Sequence, residues 1–233
     1  MFLAGIGLLC AGIVATSDGF WGRPRTEISM PVDVGGVDTA DLRGARIEKV
    51  VFSDAEAPGL RYSVLPYMAD ESGKGKQPVV ATAGSTLRIT VPEGFFVYQS
   101  TLVLPTRIGK VMVRDMRFAG KARVPAIVVE ATGDVSWNVD ADSASFVDVS
   151  SDEPKRKDDC ECRKPSFSIK GGSIGSLSIT SAKGSIELGD MAGVGTIDLK
   201  TGPEASLKLE HVADLPRVRI EGIGGEPEAP PVH

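Results

Sequence analysis

Histidine, cysteine and aromatic residues are scarce in this chain. Its 233 residues include 2 His, 3 Cys, 2 Trp and 3 Tyr, and aromatic residues make up 6% of the total. A catalytic triad or a multi-histidine metal site would depend on His211, because His233 ends a proline-rich tail. Three cysteines are also too few for a disulfide-rich scaffold. The sequence therefore predicts no enzyme, no catalytic residue, no cofactor and no metal site.

Positive charge is also in short supply. There are 26 Lys and Arg against 31 Asp and Glu, which gives a net charge of -5 and makes a nucleic-acid groove an unfavourable interpretation. Long helices are disfavoured as well, since 27 Gly and 15 Pro interrupt the chain. A hydrophobic content of 42% excludes disorder of the chain as a whole.

Short strand-like alternation is what the chain has in abundance, above all between Ser166 and Glu221. Apolar residues occur there in pairs separated by one small or charged residue, the pattern of a half-buried strand. The pairs are Phe167/Ile169, Leu177/Ile179, Ile186/Leu188, Ile197/Leu199, Leu207/Leu209 and Val218/Ile220. From Leu177 onward they follow each other at about ten residues, and every second pair returns after roughly 20, which is typical of repeat architectures.

The repeat also predicts a register. A shift of 21 residues places Ile186 on Leu207, Leu188 on Leu209, Ile197 on Val218 and Leu199 on Ile220. The same shift brings Glu187 to Lys208, Asp198 to Arg219 and Lys200 to Glu221. We therefore expect stacked strands with the apolar residues facing the core and opposite charges adjacent on the outside.

The earlier part of the chain divides into further segments. Residues 26–105 form a predicted N-terminal β region, and residues 106–221 form the repeat. Candidate strands of the β region are Glu27–Val32, Arg46–Ser53, Leu60–Leu65, Val79–Ala81, Thr86–Val91, Phe95–Tyr98 and Thr101–Leu104. Asp38–Ala45 is a candidate helical turn, with Asp38 or Thr39 as its cap. Within the repeat, Val111/Val113, Ile127/Val129, Val135/Trp137/Val139 and Phe146 or Val147 continue the alternation.

The N-terminal segment predicts export. Residues 2–15 carry no charge, which suits the apolar core of a signal peptide, so residues 1–17 are interpreted as a signal peptide or an N-terminal anchor. The usual Lys or Arg after Met1 is missing, and Leu9 before Cys10 does not fit a lipoprotein cleavage site. Residues 18–25 are a predicted linker, and residues 222–233 a predicted disordered tail. The expected location is the periplasm, the envelope through an anchor, or the cell surface.

Two sets of residues are candidates for chemistry. Cys160 and Cys162 lie in a charged insert, residues 150–165, where they form a possible disulfide; a zinc site lacks the other ligands it needs. The second set is acidic and comprises Asp134, Asp140, Asp142 and Asp148. Clustered carboxylates bind calcium or act as acid and base in β-helix enzymes, whereas Asp at strand ends commonly caps turns.

Several short motifs resemble a known family. Leu87–Gly94 (LRITVPEG), Thr132–Val135 (TGDV) and Lys183–Asp190 (KGSIELGD) are similar to the DUF4097/GIN-type adhesin-like bacterial β-solenoid family. The resemblance covers about Thr86 to Glu221. It implies a cell-envelope or secreted β-helix with no assigned enzymatic residues, and some members accompany envelope-stress signalling systems.

These observations lead to one predicted architecture. The fold is all-β, a single-stranded parallel β-solenoid with a right-handed coil and a β-rich N-terminal portion; an antiparallel β-sandwich is the alternative. The predicted function is a non-enzymatic cell-envelope protein, either a scaffold or an adhesin-like binding module. The alternatives are a β-helix polysaccharide-active enzyme and an accessory sensor domain in envelope stress. Expected partners are an envelope protein or polysaccharide, with no nucleic acid and with membrane contact only through the N-terminal anchor.

Overall fold

A computed structural model describes residues 14–16, 25–65, 77–150, 165–191, 193–211 and 217–222. Within these ranges every extended regular element is a β-strand, and no helix there is long and apolar enough to cross a membrane. The strands are β1 (Val14–Thr16), β2 (Arg25–Pro31), β3 (Thr39–Asp41), β4 (Lys49–Phe52), β5 (Gly59–Val64), β6 (Val79–Ala83), β7 (Thr86–Thr90), β8 (Tyr98–Leu104), β9 (Lys110–Val113), β10 (Met116–Gly120), β11 (Val124–Ala131), β12 (Val135–Asn138), β13 (Ala141–Asp148), β14 (Ser166–Lys170), β15 (Ser173–Gly189), β16 (Gly193–Glu210) and β17 (Arg217–Gly222). The protein is therefore all-β, as the sequence predicts.

Parallel pairing dominates and runs in two ladders. Ladder A contains β7, β3, β9, β11, β13, the first parts of β15 and β16, and β17. Ladder B contains β8, β4, β10, β12, β14 and the second parts of β15 and β16. From β9 onward the chain visits the two ladders in turn, so each strand pairs with one from a neighbouring rung.

The predicted register is confirmed in the C-terminal rungs. Ile186 pairs with Leu207 and Leu188 with Leu209, and the charged Glu187 between them pairs with Lys208. The next rung pairs Ile197 with Val218, Asp198 with Arg219, Leu199 with Ile220 and Lys200 with Glu221. Because side chains alternate between the two faces of a strand, this register puts apolar residues on one face and charged residues on the other.

Aromatic residues form a continuous row through the core. Ring centroids lie 6.1 Å apart for Phe52 and Phe118, 5.3 Å for Phe118 and Trp137, 5.1 Å for Trp137 and Phe146, and 5.9 Å for Phe146 and Phe167. Trp137 is fully buried and donates its Nε1 hydrogen to the backbone oxygen of Val139 at 3.0 Å. Each stacked or edge-on pair contributes about 0.5–1.5 kcal/mol beyond the area it buries.

Antiparallel pairing is found at the N-terminal part of the fold. β2 pairs with β1 and β5, β5 also pairs with β8, and β6 forms a hairpin with β7. β3 and β4 lie in the same part of the sequence, but they belong to the parallel ladders through β9 and β10. The N-terminal β region and the repeat thus form one large mixed sheet.

Two local predictions in this region are wrong. Asp38–Ala45 is not a helical turn, because β3 runs through it and the oxygen of Asp38 accepts hydrogen bonds from the backbone N–H groups of Gly109 and Lys110. Long-range ladder bonds override the local capping signal there. Phe95–Tyr98 is not a strand either, since Phe95 closes a turn onto the oxygen of Pro92 and β8 begins at Tyr98.

The apolar pairs are buried along most of the stack and become exposed at its C-terminal end. Phe167, Ile169, Leu177, Ile179, Ile186, Leu188, Ile197 and Leu199 are buried. Leu207 is half-buried against the core, whereas Leu209 and Ile220 are 39% and 40% exposed. They lie in the last rungs that the structure describes, so among the described residues no further rung covers them.

Candidate functional site

An open groove of about 850 Å³ lies where the turn before β4 meets the starts of β10, β12 and β14. Four arginines line it together with three acids, three serines and a short apolar floor. The charged and hydroxyl residues are Arg43, Arg46, Arg114, Arg117, Glu48, Asp115, Asp134, Ser136, Ser166 and Ser168. In a protein of net charge -5 this is a local concentration of positive side chains.

The groove brings together two segments with the same pattern. Arg43–Arg46 reads Arg-Gly-Ala-Arg and Arg114–Arg117 reads Arg-Asp-Met-Arg. They lie side by side because β4 and β10 pair in parallel, with Lys49 opposite Arg117. The N–H of Arg117 also donates to the backbone oxygen of Glu48 at 3.3 Å. The sequence analysis missed this site. The repeated Arg-x-x-Arg near the start of a strand is the signal that could have found it.

The acids of the groove hold backbone groups in place. Asp115 Oδ1 accepts the N–H of Asp134 at 3.0 Å, and Asp134 Oδ1 accepts the N–H of Ser166 at 3.1 Å. Glu48 Oε1 accepts the N–H of Gln99 at 3.0 Å. Backbone donors at the ends of strands, where the ladder stops, find partners in these carboxylates. These carboxylates therefore fix the shape of the groove.

Asp41 anchors the arginine at one end of the groove. Its side chain is buried, and Arg43 contacts both carboxylate oxygens, with Nε at 3.0 Å and Nη2 at 3.1 Å. Arg88 lies 3.3 Å away on the other side. Burial alone would raise the pKa of Asp41, but the hydrogen bonds from Arg43 and the attraction of both guanidinium groups outweigh it, so the pKa is lowered. Asp41 is thus a buried anion held by two exposed cations.

A row of outward-facing residues crosses ladder B beside the groove. We call it the ligand row: Thr101, Lys49, Arg117, Ser136 and Ser168 are successive neighbours on paired strands. Lys49 and Arg117 are exposed and directly opposite each other. Within the described ranges neither forms an ion pair. Like charges directly opposite on neighbouring strands are destabilising, so this pair is held against its own repulsion.

The residues singled out in the sequence lie elsewhere or have structural roles. Cys160 and Cys162 are outside the described residues, so the possible disulfide stays a prediction. Asp140 Oδ1 accepts the N–H of Ser173 at 2.7 Å and Asp148 Oδ1 that of Ser150 at 2.9 Å. Asp142 pairs with Arg123. Of the four acids only Asp134 lies at the groove, and the part of the chain that the structure describes contains no cluster of three His, Cys, Asp or Glu suited to a metal.

Comparison with known proteins assigns no family to the chain. No family model matches it, and no curated protein does. Among solved structures, it is similar to a "putative adhesin" from Parabacteroides merdae, with a TM-score of 0.41, 12% identity, and coverage of 87% of this chain and 97% of the other. A "putative lipid binding protein" from Parabacteroides distasonis gives the same values. A "putative adhesin" from Bacteroides fragilis gives a TM-score of 0.36 and 13% identity, covering 85% of this chain and 97% of the other. Similarity at this level carries no conclusion about what this chain binds or does.

Proposed function

We propose that the protein is a non-enzymatic, adhesin-like binding module of the cell envelope and that the arginine-lined groove is its ligand site. The observation that carries this proposal is the meeting of two Arg-x-x-Arg segments, Arg43–Arg46 and Arg114–Arg117, at one groove through the pairing of β4 with β10. Several exposed cations on one wall attract an anionic ligand from solution and orient it.

The proposed scaffold is a right-handed parallel β-solenoid that begins within the N-terminal β region. The support is the alternation of the chain between two parallel ladders and the confirmed register of Ile186 with Leu207. A sandwich would instead be built mainly from antiparallel strands. Strands that are hydrogen-bonded to a neighbour on both sides hold their side chains more rigidly than loops do. A groove at the ends of such strands therefore needs little reorganisation when it binds a ligand.

Binding without chemical conversion fits the groove better than hydrolysis. A glycosidase requires two carboxyl groups that face the scissile bond at a defined separation. The acids here, Glu48, Asp115 and Asp134, accept backbone N–H groups and so serve the architecture. Arg46, Arg114 and Arg117 are exposed cations that line the same groove.

A binding and turnover assay on the full chain tests this function. The protein is titrated with a panel of neutral, carboxylated and sulfated polysaccharides, and each mixture is then assayed for new reducing ends. We expect saturable binding, no release of oligosaccharide, and weaker binding for Arg46→Gln/Arg114→Gln. Turnover of any polymer, or binding that this variant leaves unchanged, would contradict the proposal.

Export is the second part of the proposal, and it depends on the uncharged residues 2–15. Of the predicted leader and its surroundings, the structure describes Val14–Thr16, which pair with β2. Cell fractionation with N-terminal sequencing of the mature protein provides the test. We expect the chain in the envelope or outside the cell, and full-length protein confined to the cytosol would contradict this.

A further inference from the structure

We infer that the ligand of this groove is an anionic polysaccharide and that Lys49 and Arg117 recognise its carboxylates. The inference rests on the proposed binding function and adds the chemical class of the ligand. Three residues of the ligand row, Arg117, Ser136 and Ser168, also line the groove, so one linear polymer can contact both surfaces.

The ligand row carries an unbalanced positive charge. Several exposed cations elsewhere on the ladders have acidic partners: Lys110 lies 2.6 Å from Glu130, Lys170 2.8 Å from Glu187, and Lys200 3.4 Å from Glu221. Lys49 and Arg117 instead face each other across neighbouring strands, which lie about 4.8 Å apart. An anion bound between them would remove this repulsion. The sequence thus keeps at one place a charge pattern that it avoids on the rest of the ladders.

Hydroxyl groups follow the two cations along the same row. Arg117 is followed by Ser136 and Ser168 on the next two strands, so a cation pair continues into a line of hydroxyl groups. Hydroxyl groups donate and accept hydrogen bonds, as the hydroxyl groups of a sugar require. A polymer of uronic acids carries carboxylates and hydroxyls in alternation, and one chain lying across the strands would meet both.

Other anionic partners fit less well. A nucleic acid would bring closely spaced phosphates against Glu48, Asp115 and Asp134, which the groove also contains. A membrane surface favours a site rich in exposed apolar side chains. The large apolar residues that are exposed in the described ranges are Val79, Phe96, Leu209 and Ile220. Of these, Phe96 contacts a groove residue, because the guanidinium of Arg46 lies 5.7 Å from the centre of its ring. A single aromatic ring suits a sugar face better than a bilayer.

The experiment compares two polymers and three variants of the full chain. Polygalacturonate is the anionic probe, and its fully methyl-esterified form is the neutral probe with the same backbone. The test variant is Lys49→Gln/Arg117→Gln. The control, Lys200→Gln/Arg219→Gln, removes the same charge from ladder A. The third variant, Lys49→Arg/Arg117→Lys, keeps both charges. Far-ultraviolet circular dichroism and thermal midpoints check that all of them fold.

We expect polygalacturonate to bind the wild type and the control equally and the test variant about tenfold or more weakly, because hydrogen bonds to charged groups are the strong ones. The charge-keeping variant should retain most of the affinity. Added salt should weaken binding, and the esterified polymer should bind far less.

Three outcomes would overturn the inference. In the first, both polymers bind with equal affinity, and the test variant binds them as tightly as the wild type does. This result would show that the ligand is recognised without its charge, but it would not contradict the proposed binding function. Binding of anionic lipid vesicles through Lys49 and Arg117, with no polysaccharide bound, would assign the site to a membrane surface. If neither the polysaccharide panel nor the vesicles bind, the proposed function fails together with the inference.

Discussion

At the scale of single residues, the buried carboxylate of Asp41 is the most informative side chain. It combines a buried position with contacts from Arg43 and Arg88, and the pKa of this carboxyl is lowered because those contacts outweigh burial. A lowered pKa stabilises the fold while the carboxylate is charged, at pH values above its unfolded pKa of about 3.9. That contribution is lost as the pH falls from about 4 through the lower pKa of the folded state.

The first prediction concerns Asp41→Asn. The variant should lose about 1–3 kcal/mol of stability at pH 7, since both cations lose the attraction of the charged carboxylate but remain solvated. As the pH falls from about 4 through the lower folded-state pKa, the difference from the wild type should shrink, because the wild-type carboxyl becomes protonated. Urea unfolding at a series of pH values measures this. A difference that stays constant down to pH 2 would mean that the Asp41 contacts do not set the acid sensitivity.

Residues differ in how well the sequence reveals them. Trp137 could be assigned to the core from alternation alone, and it is fully buried. Asp41 could not, because a single Asp in a loop-like segment has the same local pattern whether it caps a turn or pairs with an arginine distant in the sequence. The groove arginines could not be assigned to one site for the same reason. Arg46 and Arg114 come together only through the pairing of β4 with β10.

At the scale of elements, glycines allow successive rungs to approach each other closely. A Cβ atom on Gly175 would lie 2.6 Å from the backbone oxygen of Asp142, and one on Gly195 would overlap the backbone oxygen of Gly175. The three residues stand on neighbouring strands. Gly184 is more constrained still, with a φ of 106° and a virtual Cβ that overlaps the oxygen of Pro165. Only glycine adopts such a conformation without strain.

The second prediction compares two glycines of adjoining strands. Gly184→Ala should destabilise the protein by about 2 kcal/mol or more, because it adds backbone strain to a clash with main-chain atoms that cannot yield. Gly193→Ala is the matched control. Its virtual Cβ lies 4.0 Å from the nearest atom, so the change should stay within about 0.5 kcal/mol. Equal thermal midpoints for the two variants would show that the close approach at Gly184 is relaxed in solution.

Elements with a strong repeat were the most predictable. The register of β15 on β16 follows from matching apolar and charged residues at one shift, because a slip of one residue would turn every apolar side chain outward. The Asp38–Ala45 segment has no such repeat. Its capping signal was local, while its actual hydrogen bonds go to Gly109 and Lys110, which no local pattern identifies.

At the scale of the whole molecule, the ladders continue past the charged insert. β12 pairs with β14 and β13 with β15, so rungs on either side of residues 151–164 are direct neighbours. The core row from Phe146 to Phe167 also spans it, with ring centroids 5.9 Å apart. Stacking therefore does not require the insert to contribute a strand.

The third prediction follows for the two cysteines of the insert. Cys160→Ser/Cys162→Ser should leave the thermal midpoint nearly unchanged, because the neighbouring rungs pair without these residues. Differential scanning calorimetry under oxidising and reducing conditions measures it. A large fall in the midpoint would assign a structural role to the pair.

The last prediction tests how stability is distributed along the stack. In repeat architectures each unit contacts mainly its neighbours, so a terminal unit can open while the others stay folded. Leu207 is half-buried against the core in the last described rung of ladder B, and Leu209 beside it is 39% exposed. Leu207→Asp places a charge against apolar neighbours, which is costly, and few contacts beyond it can compensate. We expect this variant to unfold the C-terminal rungs selectively.

Lys208→Ala is its control on the same strand. Lys208 lies 2.6 Å from Glu210, and both side chains are exposed to solvent, so the pair contributes little to stability. Hydrogen exchange read by mass spectrometry should show faster exchange over residues 193–222 in Leu207→Asp, unchanged exchange over residues 110–148, and no change anywhere in Lys208→Ala. If exchange instead rises along the entire chain, the ladders unfold as one cooperative unit. If Leu207→Asp and Lys208→Ala show the same exchange, Leu207 does not face the core. The predicted inward-facing register would then be contradicted at the C-terminal end of the stack.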